Sequence, residues 1–225
     1  MLRLSSGDWW TVGFSLWTAA LATLLILPFG IAGGWLFARK NWPGKSFAET
    51  ILTLPLVLPP VATGLILLQL LGRRGTLGRF IHDTLGTEII FTWKAVVLAM
   101  AVMAFPLMLR GVRMAFESVN PRFEQVASTL GASDLRIFFT ITLPLSFRGV
   151  IGGTVLGFAR ALGEFGATIL VAGNIPHRTT TLSISIYNAI QLGHDNHAYK
   201  LLIVAGLLSF CALGISEYFT RRNAQ

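Results

Sequence analysis

Residues 9–38 form a run of 30 positions without a charged side chain. About 20 mostly apolar residues cross the hydrocarbon of a bilayer. This run therefore restricts the chain to folds built across a membrane. Trp9, Trp10 and Trp17 stand at one end of it and Trp35 at the other, as interfacial anchors do. Four further apolar stretches lie at 50–72, 89–109, 142–172 and 199–219, so five spans are expected. Lys94 lies near the edge of the third, within reach of the interface. The stretch 179–192 is uncharged but rich in Ser and Thr, and reads as a re-entrant or surface helix on the outer side.

Composition agrees. Of 225 residues, 53% are hydrophobic and 12% charged, against about 25% charged in soluble domains. The chain reads as one all-α polytopic membrane domain over 1–225, with no internal repeat. Arg3 is the only early base and Asp8 opposes it. A signal peptide has an apolar core of about 7–15 residues, so the first run reads as a retained helix. The formal charge is +8. Basic loops facing lipid account for it better than nucleic acid does, and an anionic cargo would profit from the same field. The single cysteine, Cys211, allows no intrachain disulfide.

Between the third and fourth spans lies QVASTLGASDLRIFFTITLP, residues 125–144. Asn120 suits an N-cap and Pro121 the first helical position. Phe123, Val126, Ala127 and Leu130 form one apolar stripe at i, i+3, i+4 and i+7. Gly131 suits a left-handed stop, and Ser133 suits the cap of a second helical piece. A helix of about ten residues is marginal alone. It must pack on its own protein or on a cytosolic partner.

This stretch resembles the "EAA" signature of permease subunits in ABC importers: Glu-Ala-Ala, three residues, Gly, nine residues, Ile, one residue, Leu-Pro. Gln125, Val126, Ala127, Gly131, Ile141, Leu143 and Pro144 occupy those places. Gln125 stands where the pattern has Glu, with Glu124 one place earlier, and Val126 replaces an Ala. The resemblance implies a type I importer domain of five helices. Its cytoplasmic coupling helix, in the loop 120–144, would dock on an ATPase through Phe123, Glu124 and the residues above. With that loop inside, five spans place the N-terminus outside and Arg221 and Arg222 inside. The inner segments hold ten Lys and Arg and the outer ones seven, a bias too small to set orientation alone.

Other features remain open between two readings. Pro55, Pro59 and Pro60 remove backbone donors and bend or break the second span. They form either a packed kink or a border of the translocation path, the role the resemblance favours. Gly149, Gly153 and Gly157 make a small-residue ridge for helix packing, within one subunit or at a dimer axis. Arg160 and Glu164, at i and i+4, are expected to pair, as a structural pair or as an anion-attracting gate. Gly44-Lys45-Ser46 ends like a phosphate-binding loop, but Arg39 stands where that loop needs glycine. If ATP drives this chain, another chain binds it. His82, His177, His194 and His197 lie in expected loops, and His194 with His197 reads as a polar turn rather than a metal site.

The run ALGEFGAT at 161–168 with GNIP at 173–176 looks like permeases for tetrahedral oxyanions. Gly72-Arg73-Arg74-Gly75 and Phe105-Pro106-Leu107-Met108 are similar to the molybdate branch in particular. The resemblance implies an inner-membrane homodimer, with two ATPase subunits holding ATP and Mg inside. It also implies an oxyanion-binding protein outside and no cofactor in this chain. Tungstate and sulfate are the alternative cargoes, and a self-contained channel or secondary transporter is the alternative class.

Overall fold

The computed structural model describes residues 5–221, and those residues form helices without a strand. The expectations for Arg3 and Arg222 lie outside the described residues. Helix α1 spans Ser6–Arg39 and starts in a capping box, in which the Ser5 hydroxyl and the Asp8 carboxylate each accept a backbone N–H of the other residue. Thr11, Ser15, Thr18 and Thr23 donate to carbonyls four residues back, which satisfies their hydroxyls without water.

The second apolar stretch is not a straight span. Helix α2 covers Lys45–Val57 and α3 covers Pro60–Leu71, with a bend of 110° between them. Leu58 and Pro59 are extended at the break, where Pro60 can offer no N–H. Pro55 lies inside α2, and α2 has no buried residue. A further helix, α4 at Thr76–Leu85, is absent from the expected spans because ten residues are too few to cross a membrane, although Leu77, Phe80 and Ile81 recur in it at helical spacing.

Helix α5, Trp93–Glu117, begins at a Thr92 cap and runs through the centre of the bundle. It extends eight residues past the expected boundary at 109, so Arg110 and Arg113 are helical. Arg113 pairs there with Glu49 of α2 and Glu117. Then come α6 (Pro121–Thr129), α7 (Asp134–Ile137), a π-helical turn (Phe138–Thr142) and α8 (Leu143–Leu162). The fourth expected span, 142–172, is in fact two helices. α8 stops at Leu162, and Gly163 to Phe165 turn the chain into the short helix α9, Gly166–Ala172. Glu164 thus lies in a turn, not along a helix. The segment 179–192 holds α10, Leu182–Gln191, whose first N–H donates to Ser15 Oγ of α1 at 2.7 Å. Helix α11, Asp195–Arg221, closes the bundle.

One ion pair and two hydrogen bonds fix which helix ends meet. His197 Nε2 lies 3.2 Å from Asp8 Oδ1, so α11 and α1 start at the same end. Arg39, at the far end of α1, donates to the Val119 carbonyl after α5. Ser216 of α11 donates to the Gly152 carbonyl in the first half of α8. The loop 120–144 and the last turns of α11 therefore share the end opposite to Ser6.

The core rests on close backbone approach. A Cβ on Gly153 would stand 2.8 Å from the Val112 nitrogen, and one on Gly111 2.8 Å from the Gly153 Cα. A Cβ on Gly157 would instead meet the Met108 side chain, at 3.0 Å. Gly153 and Gly157 thus pack α8 on α5 within this chain, and Gly149 lines a cavity of about 710 Å³ beside them. Gly153→Val is expected to push α5 and α8 apart and destabilise the fold by about 1–3 kcal/mol or more. Thermal unfolding in detergent checks it. Gly206→Val, where a Cβ meets nothing within 4 Å, is the neutral control.

Candidate functional site

Helix α6 carries its apolar stripe outward. Phe123 is 56% exposed, Val126 59% and Leu130 82%, and Leu135 of α7 continues the patch at 72%. Ala127, at the edge of the same stripe, is half-buried. The Asn120 side chain accepts from the Arg122 N–H, and Pro121 opens the helix as expected. Gly131 has φ +84, the left-handed conformation that a side chain would strain. The Ala132 N–H returns to the Ala127 carbonyl at 3.1 Å and closes the helix end.

Glu124 does not share that outward face. Its Oε1 accepts from Arg39 Nε at 2.9 Å and from the Thr142 hydroxyl at 2.7 Å. Thr142 is fully buried, at the end of the π turn. Lys40 holds Asp134 at 2.9 Å alongside. These groups line a cleft of about 380 Å³ behind α6, which Gln125 and Ser128 also border. One carboxylate therefore ties α6 to the end of α1 and to the start of α8. Phe138 wedges between Trp35 and Phe116 at ring distances of 5.6 and 6.0 Å and fills the same junction. Ile141 belongs to the π turn, and Leu143 and Pro144 open α8. They shape the return of the chain to the bundle rather than the exposed stripe. Sequence spacing misses Arg39 and Thr142, because their role depends on contacts 85 and 18 residues away.

At the other end, Arg160 Nη1 donates to Glu164 Oε2 at 2.7 Å. The Glu164 side chain is 1% exposed and that of Arg160 25%. Glu164 Oε1 also accepts the Ala167 N–H at 2.8 Å, which fixes the start of α9. The expected pairing is present. The broken second span leans on this turn: a Cβ on Gly166 would stand 2.8 Å from the Pro60 Cβ. Pro59 caps α3 and Pro60 opens it, while Pro55 sits apart in α2. Among the described residues no group of three or more His, Cys, Asp or Glu converges. His197 pairs with Asp8, and His177 packs edge-on to Trp10.

Among the described residues four helices and one broken pair are long and apolar enough to cross a membrane, and an apolar stripe faces outward at one end of their bundle, which defines a polytopic membrane protein. Residues 26–225 match the family described as "Binding-protein-dependent transport system inner membrane component", and the chain belongs to that family. It is 48% identical over 219 residues to the molybdenum transport system permease protein ModB of Escherichia coli K12, covering 97% of this chain and 96% of the relative. It is 46% identical over 212 residues to ModB of Haemophilus influenzae, covering 94% and 93%. Among solved structures, the inward-facing MetNI methionine ABC transporter has the same fold, with a TM-score of 0.71 at 15% identity, covering 99% of this chain and all of that one.

Proposed function

We propose that this chain is the membrane permease of an ATP-driven molybdate importer, acting as a homodimer with two ATPase subunits inside and a binding protein outside. The observation that carries the mechanism is the loop at 120–144. Its apolar stripe faces away from the chain while its acid is locked into the chain. The partner on that stripe is the ATPase, which binds ATP and Mg. Movement of α6 is transmitted to α1 through Arg39 and to α8 through Thr142. The cargo is inferred from the ModB relatives, which the chain matches along almost its full length. A dianion needs a hydrated or donor-lined path, because an unpaired charge in hydrocarbon is very costly. The test is reconstitution with the ATPase and binding protein, followed by ATP-dependent uptake of labelled molybdate against competing tungstate and sulfate. Uptake without the ATPase would instead favour a self-contained carrier. Sulfate outcompeting molybdate would favour the sulfate reading.

The same reading orients the chain, with Ser6 outside and α6 in the cytoplasm. In a Cys211→Ala background, Ser6→Cys is expected to react with an impermeant thiol reagent added to cells. Thr129→Cys is expected to react only after the membrane is opened. Reaction of both from outside would reverse the assignment of the loop.

A further inference from the structure

Aromatic side chains of α1 and of the start of α5 meet at the Ser6 end of the bundle. Trp10, Phe14 and Trp17 lie at i, i+4 and i+7 on one face of α1. Trp10 stacks on Phe14 at 4.9 Å, Phe14 meets Trp17 at 6.3 Å, and Trp17 meets Trp93 of α5 at 5.3 Å. His177 continues the row edge-on to Trp10 at 5.4 Å. These rings line a cleft of about 370 Å³, and ligand sites begin at about 300 Å³. Two of the rings keep open faces, with Trp17 47% exposed and Trp93 43%.

The rim of the cleft is cationic. Lys94 and Arg178 border it, with one carboxylate, Glu88, which already accepts from Arg73. Among the described residues neither the Lys94 ammonium nor the Arg178 guanidinium has an acceptor. Lys94 is the second residue of α5, where the helix dipole is also positive. Arg178 belongs to a fixed turn. Its N–H and that of Thr179 donate to the Ile175 carbonyl, and the buried Thr179 hydroxyl accepts the Ile175 N–H. Depth separates the rim from the rings. Helix α1 has 34 residues, about 51 Å at about 1.5 Å per residue. That length covers the hydrocarbon of about 30 Å and the headgroup zones on both sides. With α1 centred, the hydrocarbon edge falls near Val12. Trp10 then lies at headgroup level, and Phe14 and Trp17 lie beside the first acyl carbons.

We propose that this cleft binds an anionic phospholipid of the outer leaflet. Lys94 and Arg178 hold its phosphodiester, and the upper part of one acyl chain lies along Phe14, Trp17 and Trp93. The assignment rests on the importer reading only for the leaflet, through the orientation that puts Ser6 outside. Phosphodiester oxygens only accept hydrogen bonds, and a guanidinium with an ammonium supplies donors and charge together. Tryptophan rings suit the boundary between headgroups and hydrocarbon. A zwitterionic lipid would bring its own cation to a rim whose one carboxylate is already paired, so the rim selects against it. A free oxyanion would meet the two cations but leave the rings uncovered.

The test uses the full-length permease, purified in detergent and stripped of lipid. Native mass spectrometry follows its titration with phosphatidylglycerol and, separately, with phosphatidylcholine of the same chains. The wild type is expected to prefer phosphatidylglycerol. Lys94→Gln/Arg178→Gln is expected to weaken phosphatidylglycerol about thirtyfold, the worth of two cations near an anionic surface, and to bind the two lipids alike. Neither side chain is buried, so the fold tolerates the change. Trp17→Leu is expected to weaken both lipids equally and to keep the preference. Equal binding of the two lipids by the wild type, or an unchanged phosphatidylglycerol affinity in the double variant, would overturn the site. Wild-type affinity in Trp17→Leu would overturn the placement of the acyl chain on the rings. Displacement of phosphatidylglycerol by an equal concentration of inorganic phosphate or molybdate would reassign the cleft to a free oxyanion and overturn the lipid. This binding requires neither ATPase nor transport, so failure of the importer reading would leave it standing.

Discussion

Arg160→Gln is expected to destabilise the permease by roughly 3–5 kcal/mol, the scale for breaking a buried pair on one side. The cause is the carboxylate it leaves behind. Glu164 is almost fully enclosed and would keep only the Ala167 N–H. Glu164→Gln is expected to cost less, about 1–3 kcal/mol. Its amide oxygen still accepts from one former donor, and Arg160 is exposed enough to find water. The double variant Arg160→Gln/Glu164→Gln is expected to be more stable than Arg160→Gln alone. Thermal unfolding of the four proteins in detergent gives the coupling directly. If Arg160→Gln melts with the wild type, the pair contributes nothing to the fold. If Arg160 also attracts the dianion, the double variant folds yet transports slowly. Normal uptake by it would leave a structural role alone.

Phe123→Ala/Leu130→Ala is expected to abolish assembly with the ATPase and leave the permease fold intact. Both side chains are mostly exposed, so the isolated chain loses little packing. At an interface core, truncating such an anchor costs about 2 kcal/mol, near thirtyfold in affinity, so the pair approaches a thousandfold. Co-purification of the ATPase reads this result, with unfolding temperature as the control. Glu124→Ala is expected to behave differently. It removes the tie to Arg39 and Thr142 but leaves the stripe in place. The ATPase should still bind, while uptake per ATP hydrolysed falls. Unchanged ATPase binding after loss of Phe123 and Leu130 would remove α6 from the docking surface.

The sequence is most legible where one local rule decides the structure. Long uncharged runs place α1, α5 and α11 because nothing but a helix crosses lipid easily. Asn120, Pro121 and Gly131 mark α6 because capping chemistry is local. Legibility fails where tertiary contact decides. The stretch from Thr142 to Ala172 reads as one span interrupted by Arg148, Arg160 and Glu164, yet Gly163 and the inward-turned Glu164 end α8 and a new helix starts at Gly166. Glu124 reads as part of the docking face because its partners, Arg39 and Thr142, are distant in sequence. The three prolines announce a break, but neither its angle nor the close contact of Pro60 with Gly166 of α9 can be derived from their spacing.

The tie between Arg39 and Glu124 also imposes an order in time. The two residues are 85 positions apart. A ribosome adding about 5–20 residues per second delivers Glu124 on the order of ten seconds after Arg39. During that interval the Arg39 guanidinium lacks its carboxylate partner, and α2 to α5 are made before that partner exists. The surface proposed for the ATPase is therefore complete only when nearly all of the chain has been made. A nascent chain stalled before α8 lacks Thr142 as well, so it cannot set α6 in place. Such fragments would not recruit an ATPase, and quality-control proteases could clear them without competing against a bound partner.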